Sequence, residues 1–227
     1  MNLTHDTSRR DWLTQALGLL SVAAAPSLAF ANNAAHIVIV GGGVGGATAA
    51  KYLKLFNPQL RVTVIEKNPV YVRPYGSSEV LNQHVKMDDL NVSYDALKSR
   101  YGIEFVFDTV TGLDPQARVI STLGKKKIGY DRLIVSPGIQ LMYSAHEGYS
   151  ETVANQSVPS GWIPGQQTAL LAKQLQGMRQ GGTFVLAAPP NPYRCPPGPY
   201  ERAALMTEWF AKHNPTAKVI IVDPKDS

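Results

Sequence analysis

Residues 36–56 read HIVIVGGGVGGATAAKYLKLF. The run from His36 to Val40 has the short apolar pattern of a buried strand. Gly41, Gly43 and Gly46 follow with the spacing G-x-G-x-x-G, and Ala50 stands four residues later. Gly41 permits a tight turn, Gly43 lets backbone approach a pyrophosphate, and Gly46 lets a helix pack closely on the strand. That helix would aim its N-terminal N–H groups and its positive dipole end at the phosphates. The next apolar segment, LRVTVIE (60–66), reads as a second strand ending in Glu66, placed to accept a hydrogen bond from a ribose hydroxyl, with Lys67 directly after it. Glycine spacing alone carries little weight. Strand, glycines, helix, strand and terminal acid in this order predict a dinucleotide-binding unit whose cofactor-binding residues are Gly41, Gly43, Gly46, Glu66 and Lys67.

Downstream, MDDLNVSYDALKSRYG (87–102) predicts a helix closed by Gly102, and IEFVFD (103–108) a strand. From Val110 the alternation and the turn residues at Asp114-Pro115 and around Gly124 predict antiparallel strands. YDRLIVSPG (130–138) is a strand entering a tight turn at Pro137-Gly138, which are also assigned to the cofactor site. A dinucleotide fold with a β-meander and this closing turn resembles the FAD domain of the two-dinucleotide-domain flavoproteins of the disulfide reductase class. The resemblance implies FAD rather than NAD in this half.

The second half starts a similar unit and then departs from it. GQQTALLAKQLQGMRQGG (165–182) predicts an amphipathic helix, TFVLAA (183–188) a strand, ERAALMTEWFAKH (201–213) a helix and AKVIIVD (217–223) a strand. Where a glycine loop belongs, residues 189–200 read PPNPYRCPPGPY. Prolines stiffen a loop and remove N–H donors, and a phosphate cradle needs those donors. NAD(P)H binding at this loop is therefore not expected. The loop carries Cys195, the only cysteine among 227 residues. A lone thiol is commonly structural. This one stands before a helix N-terminus with Arg194 adjacent, an electropositive setting suited to a sulfur nucleophile. Glu201 is ordinarily just a favourable first-turn acid; its functional reading is proton handling beside the sulfur. Trp162 reads as a packed loop aromatic.

The N-terminus has the form of an export signal. In TSRRDWLTQALGLLSVAAAPSLAFANNAA (7–35), Arg9 and Arg10 precede a mildly apolar segment, and Ala29-Phe30-Ala31 offers a cleavage site. The paired arginines resemble the twin-arginine motif, with Trp12 where that motif usually has Phe and Thr14 where it often has Lys. A general secretory signal and a membrane anchor are the alternatives, and the polar residues and Pro26 make a poor membrane span. The twin-arginine route carries proteins already folded, often with a cofactor bound, and implies a periplasmic location.

Composition sets outer bounds. A hydrophobic fraction of 44% is ordinary for a soluble globular chain. The formal charge of +5 is scattered, and its densest run, Lys125 to Lys127, reads as a hairpin tip. Without interleaved aromatics it does not indicate nucleic-acid binding. The five histidines stand far apart and show no metal-ligand spacing.

RCPPGPYERA (194–203) and the elements around it resemble the flavoprotein subunit of flavocytochrome c sulfide dehydrogenase, as do GGGVGGATAAKYLKL (41–55), YGSSEVL (75–81), GYDRLIVSPGI (129–139), GYSE (148–151) and WIPGQQTALLAKQL (162–175). The similarity runs from about residue 35 to the end. It implies an FAD-dependent enzyme that oxidises sulfide at a disulfide beside the flavin and passes electrons singly to a c-type cytochrome subunit. By that resemblance Cys195 is the redox sulfur, with Glu201 as the second catalytic candidate. Many members hold FAD through a cysteine in the region that here reads YVRPYGSSEVL (71–81), so non-covalent FAD is expected. The family's C-terminal portion, with the partner cysteine, does not follow VDPKDS (222–227); a fragment, a truncated product and a split gene are all compatible with that. Sulfide:quinone oxidoreductase activity and a non-catalytic flavin-binding or cytochrome-docking role are the alternatives. The expected architecture is α/β: an export signal over 1–31, a Rossmann-like FAD-binding domain with an inserted antiparallel β-meander over 32–155, and part of a second Rossmann-like domain over 156–227.

Overall fold

The structure is a computed structural model and describes residues 34–224. The expected export signal lies outside the described residues. The first half is built on a four-stranded parallel sheet: β1 (His36–Val40), β2 (Arg61–Glu66), β5 (Glu104–Phe107) and β9 (Arg132–Val135), in the order β5-β2-β1-β9. Alternation of side chains splits its apolar residues between two layers. Ile37, Ile39, Val62 and Val64 face helix α1 (Val44–Phe56), burying Ala50, while Val38 and Ile65 face the other way. On that second face lies the predicted meander, β6 (Val110–Asp114), β7 (Val119–Thr122) and β8 (Lys127–Gly129), all antiparallel, which contributes Ile120 and Ile128. Ile39 and Val64 have no exposed surface, and burying a side chain of this size contributes roughly 1.5–3 kcal/mol. The Lys125–Lys127 run does form a tip: the Lys125 N–H donates to the Thr122 carbonyl at 2.9 Å.

The helix expected over 87–102 occupies only its last part. Residues Met87–Leu90 make a turn of 3-10 helix, and Asn91–Ser93 form strand β4, antiparallel to β3 (Val70–Val72). Helix α3 spans Asp95–Tyr101 and is closed, as expected, by Gly102 at φ +63. The physical cause is local side-chain competition with the helix. The Asp89 carboxylate accepts from the Lys86 N–H at 2.8 Å, and the Ser93 hydroxyl accepts from the Asp95 N–H at 3.0 Å, so one turn closes early and a new helix starts late.

The second half pairs β10 (Thr183–Ala187) with β11 (Lys218–Val222) in parallel, and α5 (Gln166–Gln176) and α6 (Gly198–His213) pack beside them. Helix α6 begins at Gly198, three residues before its expected start, because Pro197 and Pro199 suit a first helical turn. Its core holds Leu171, Leu175, Met206, Trp209 and Phe210. It also holds Leu81, with no exposed surface, from the short helix α2 (Ser77–Leu81) of the first half. Among the described residues, no helix is long and apolar enough to cross a membrane.

Candidate functional site

The strand order reverses direction of growth between β1 and β9, since β2 and β5 lie on one side of β1 and β9 on the other. Ligands of open α/β sheets bind at the carboxyl ends of strands at such a point. The glycine loop leaves β1 there, and the Ser136-Pro137-Gly138 turn leaves β9 beside it. Gly41 has φ +97, and a Cβ on it would lie 2.1 Å from the Ser136 carbonyl oxygen. A Cβ on Gly46 would lie 1.9 Å from the Gly41 carbonyl oxygen, which fixes how closely α1 crosses the strand end. A Cβ on Gly43 would meet only a Tyr71 ring carbon at 3.8 Å. The space beside Gly43 is therefore open for an incoming group. Gly43 also caps α1 without any side-chain acceptor, and the first turn of α1 carries no acid. An uncapped, acid-free helix start beside open space fits a phosphate ester.

Glu66 stands at the end of β2 and accepts from two backbone donors, the Gly42 N–H at 2.7 Å and the Asn68 N–H at 2.9 Å. Each carboxylate oxygen has further lone-pair capacity for a hydroxyl. Gly41, Gly43, Gly46, Glu66, Pro137 and Gly138 thus converge on one mouth. Lys67 is exposed one residue past it. Tyr94 was not singled out by sequence, yet its buried hydroxyl donates to the Gly42 carbonyl at 3.1 Å. Burial, and then the Glu66 carboxylate and Tyr71, push the Tyr94 phenol well above its ordinary range, so it stays a donor at any physiological pH.

Cys195 lies on the loop between β10 and α6. It is exposed, carries a free thiol and has φ +61, while its carbonyl accepts from the Gly198 N–H at 2.9 Å. Glu201 is exposed on the first turn of α6, and its carboxylate makes no hydrogen bond to Cys195 among the described residues. The start of α6 is held from the other side. A Cβ on Gly198 would lie 2.2 Å from the Trp162 ring, and the Arg202 guanidinium sits 4.7 Å over that ring. Arg202 is only 5% exposed and donates to the Ser160 and Gly161 carbonyls at 2.8 and 2.9 Å. Burial lowers its pKa to about 10. Trp162 is packed as expected; the buried arginine has no counterpart in the sequence reading, because an Arg in a helical pattern reads as a surface residue. Among the described residues, no group of three or more His, Cys, Asp or Glu side chains could hold a metal ion.

Residues 35–160 match the profile of the pyridine nucleotide-disulphide oxidoreductases. The chain belongs to that family. Residues 168–227 match the central part of the flavoprotein chain of sulfide dehydrogenase [flavocytochrome c], in agreement with the resemblance carried by the cysteine loop. A curated sulfide-quinone reductase of Aquifex aeolicus is 33% identical over 118 residues, covering 52% of this chain and 27% of that one. The sulfide dehydrogenase [flavocytochrome c] flavoprotein chain of Chlorobaculum thiosulfatiphilum is 47% identical over 37 residues, 16% of this chain and 77% of that sequence. In three dimensions, the sulfide:quinone oxidoreductase of Aquifex aeolicus superposes with a TM-score of 0.68 at 23% identity, covering 84% of this chain and 43% of that one. This likeness shows the Rossmann-like fold. The chain spans less than half the length of these Aquifex relatives.

Proposed function

We propose that this chain is the FAD-binding portion of a sulfide-oxidising flavoprotein that delivers electrons to a c-type cytochrome. The observation that carries the reading is the pairing of two unlike loops in one chain of this family. The first βαβ unit ends in an open glycine cradle, and the second ends in a proline-stiffened loop with an exposed cysteine. Gly41, Gly43 and Gly46 would hold the pyrophosphate of FAD, Glu66 a ribose hydroxyl, and the Ser136-Pro137-Gly138 turn the neighbouring wall. FAD, when bound, supplies a two-electron acceptor. Residues 71–81 contain no cysteine, which supports FAD held without a thioether bond to that segment. At the second loop Pro196, Pro197 and Pro199 have no N–H, and the Gly198 N–H is spent on Cys195. That supports a sulfur site there and no NAD(P)H.

In this reading Cys195 is the sulfur that engages hydrosulfide, and Glu201 is the acid on the same loop end that handles the proton. Hydrosulfide loses two electrons and its proton in becoming zero-valent sulfur. The units 32–155 and 156–227 divide the tasks of flavin binding and sulfur chemistry. Residues 1–31 direct export by the twin-arginine route to the periplasm, where a haem protein rather than NADH is the available partner. The names of the Aquifex relatives favour a second reading, in which a quinone takes the electrons.

The test uses the full-length flavoprotein from its source, loaded with FAD. Sulfide should bleach the flavin's visible absorbance in the wild type and leave it unchanged in Cys195→Ser, with FAD still bound. Undiminished bleaching in the variant refutes the sulfur assignment. Reoxidation by cytochrome c but not by a soluble ubiquinone analogue supports the first reading, and the reverse pattern supports the second.

A further inference from the structure

Three consecutive glycines, Gly41 to Gly43, leave the phosphate loop with unusual backbone freedom, because glycine samples conformations closed to other residues. A cradle that must present one N–H in a fixed direction needs something to remove that freedom. We propose that Tyr94 is a positioning residue that locks the Gly42–Gly43 peptide and so aims the Gly43 N–H at the first phosphate of a bound nucleotide. The proposal rests on the dinucleotide reading above.

The Gly42 residue is held at both of its polar ends. Its N–H donates to Glu66 Oε2 at 2.7 Å, and its carbonyl accepts from the Tyr94 hydroxyl at 3.1 Å. In a trans peptide the carbonyl and the following N–H point in opposite directions. A Gly42 carbonyl turned in toward Tyr94 therefore turns the Gly43 N–H away from Tyr94. No protein acceptor takes that N–H among the described residues. Tyr94 can act as a lock because it is itself fixed. It is 3% exposed, and its ring lies 4.5 Å from Phe105 and 6.1 Å from Phe107 between centroids. The fit also explains the middle glycine, since a Cβ on Gly42 would lie 2.8 Å from the Tyr94 oxygen and 3.1 Å from Glu66. Glu66 and Tyr94 thus divide the site: the first faces the ribose, the second sets the phosphate donor.

The experiment compares adenosine, which has no phosphate, with ADP, by isothermal titration of the full chain. In Tyr94→Phe the affinity for ADP should fall about tenfold, the order of one charge-assisted hydrogen bond, while adenosine changes less than about twofold. A merely structural role would weaken both ligands alike, and that result, or no change for either, overturns the assignment and leaves the dinucleotide reading intact. A wild-type chain that binds neither ligand overturns both. Should Tyr94→Phe fail to give a cooperative unfolding transition, the wild type answers the question alone. The Gly43 amide proton should move strongly downfield on adding ADP and not on adding adenosine, and an unmoved Gly43 signal with ADP bound refutes the proposal.

Discussion

At Cys195 the backbone adopts φ +61, a conformation that costs an L-residue roughly 1–2 kcal/mol. Strain of this kind persists where surrounding structure over-determines it, and it clusters at sites of chemistry. The prolines on either side and the Gly198 N–H that grips the Cys195 carbonyl supply the constraint here. The expected consequence is a separation of stability from function. Cys195→Gly relieves the strain and adds chain entropy to the unfolded state, so the two effects nearly cancel. Its unfolding free energy should stay within about 1 kcal/mol of wild type, while sulfide-driven flavin bleaching is lost. A large loss of stability in urea titration would instead mark Cys195 as a packing residue. The neighbouring residues differ in how readable they are. Gly41 and Gly46 can be assigned from spacing, because their close approaches are to residues of the same motif or its closing turn. Gly42 cannot, because the contact that forbids a side chain there comes from Tyr94, 52 positions away.

Among the elements, those governed by a run of alternating or continuous apolar residues were legible. β1, β2, β10 and β11 fall where the apolar patterns place them, and α6 follows its pattern apart from the early start at Gly198. Residues 87–94 were not, because Asp89 and Ser93 redirect the backbone through single side-chain hydrogen bonds that no periodicity records. The same limit hides Arg202. Its place on α6 is a helical position like any other until the loop 160–162 folds over it and offers two carbonyls. That contact fastens the start of α6, and so the base of the cysteine loop, to the segment before α5. Arg202→Ala leaves both carbonyls without a donor and opens a void beneath Trp162, which should cost roughly 2–4 kcal/mol in a denaturant titration. Arg202→Lys should recover less than half of that, since a single ammonium cannot reproduce the two-pronged fork. Full recovery by lysine would show that charge alone, not the fork, is what the site requires.

For the molecule as a whole, the two halves differ in how well their sheets are covered. The first has α1 and α3 on one face and the meander on the other. The second has helices against the face that carries Phe184 and Val219, while Val185, Ile220 and Val222 on the opposite face are 56%, 46% and 53% exposed. Apolar area of this kind attracts apolar ligands. The 227-residue chain should enhance the fluorescence of an apolar dye, and the double substitution Val185→Thr and Ile220→Thr should cut that enhancement by more than half. Because both positions are exposed, the unfolding midpoint should hardly move; a dye signal unchanged by the pair would place the bare surface elsewhere. The halves also meet where Leu81 is buried among Met206, Trp209 and Phe210, and where the Gln167 side-chain amide donates to the Tyr143 hydroxyl and to the Asn155 side-chain oxygen. This has a consequence for the order of events at the ribosome. Leu81 is synthesised 125 residues before Met206, an interval of about 6–25 s at ordinary elongation rates. For that time the Ser77–Leu81 helix lacks the α6 side of its core, and the nascent first half must stay soluble with its anchor partly bare.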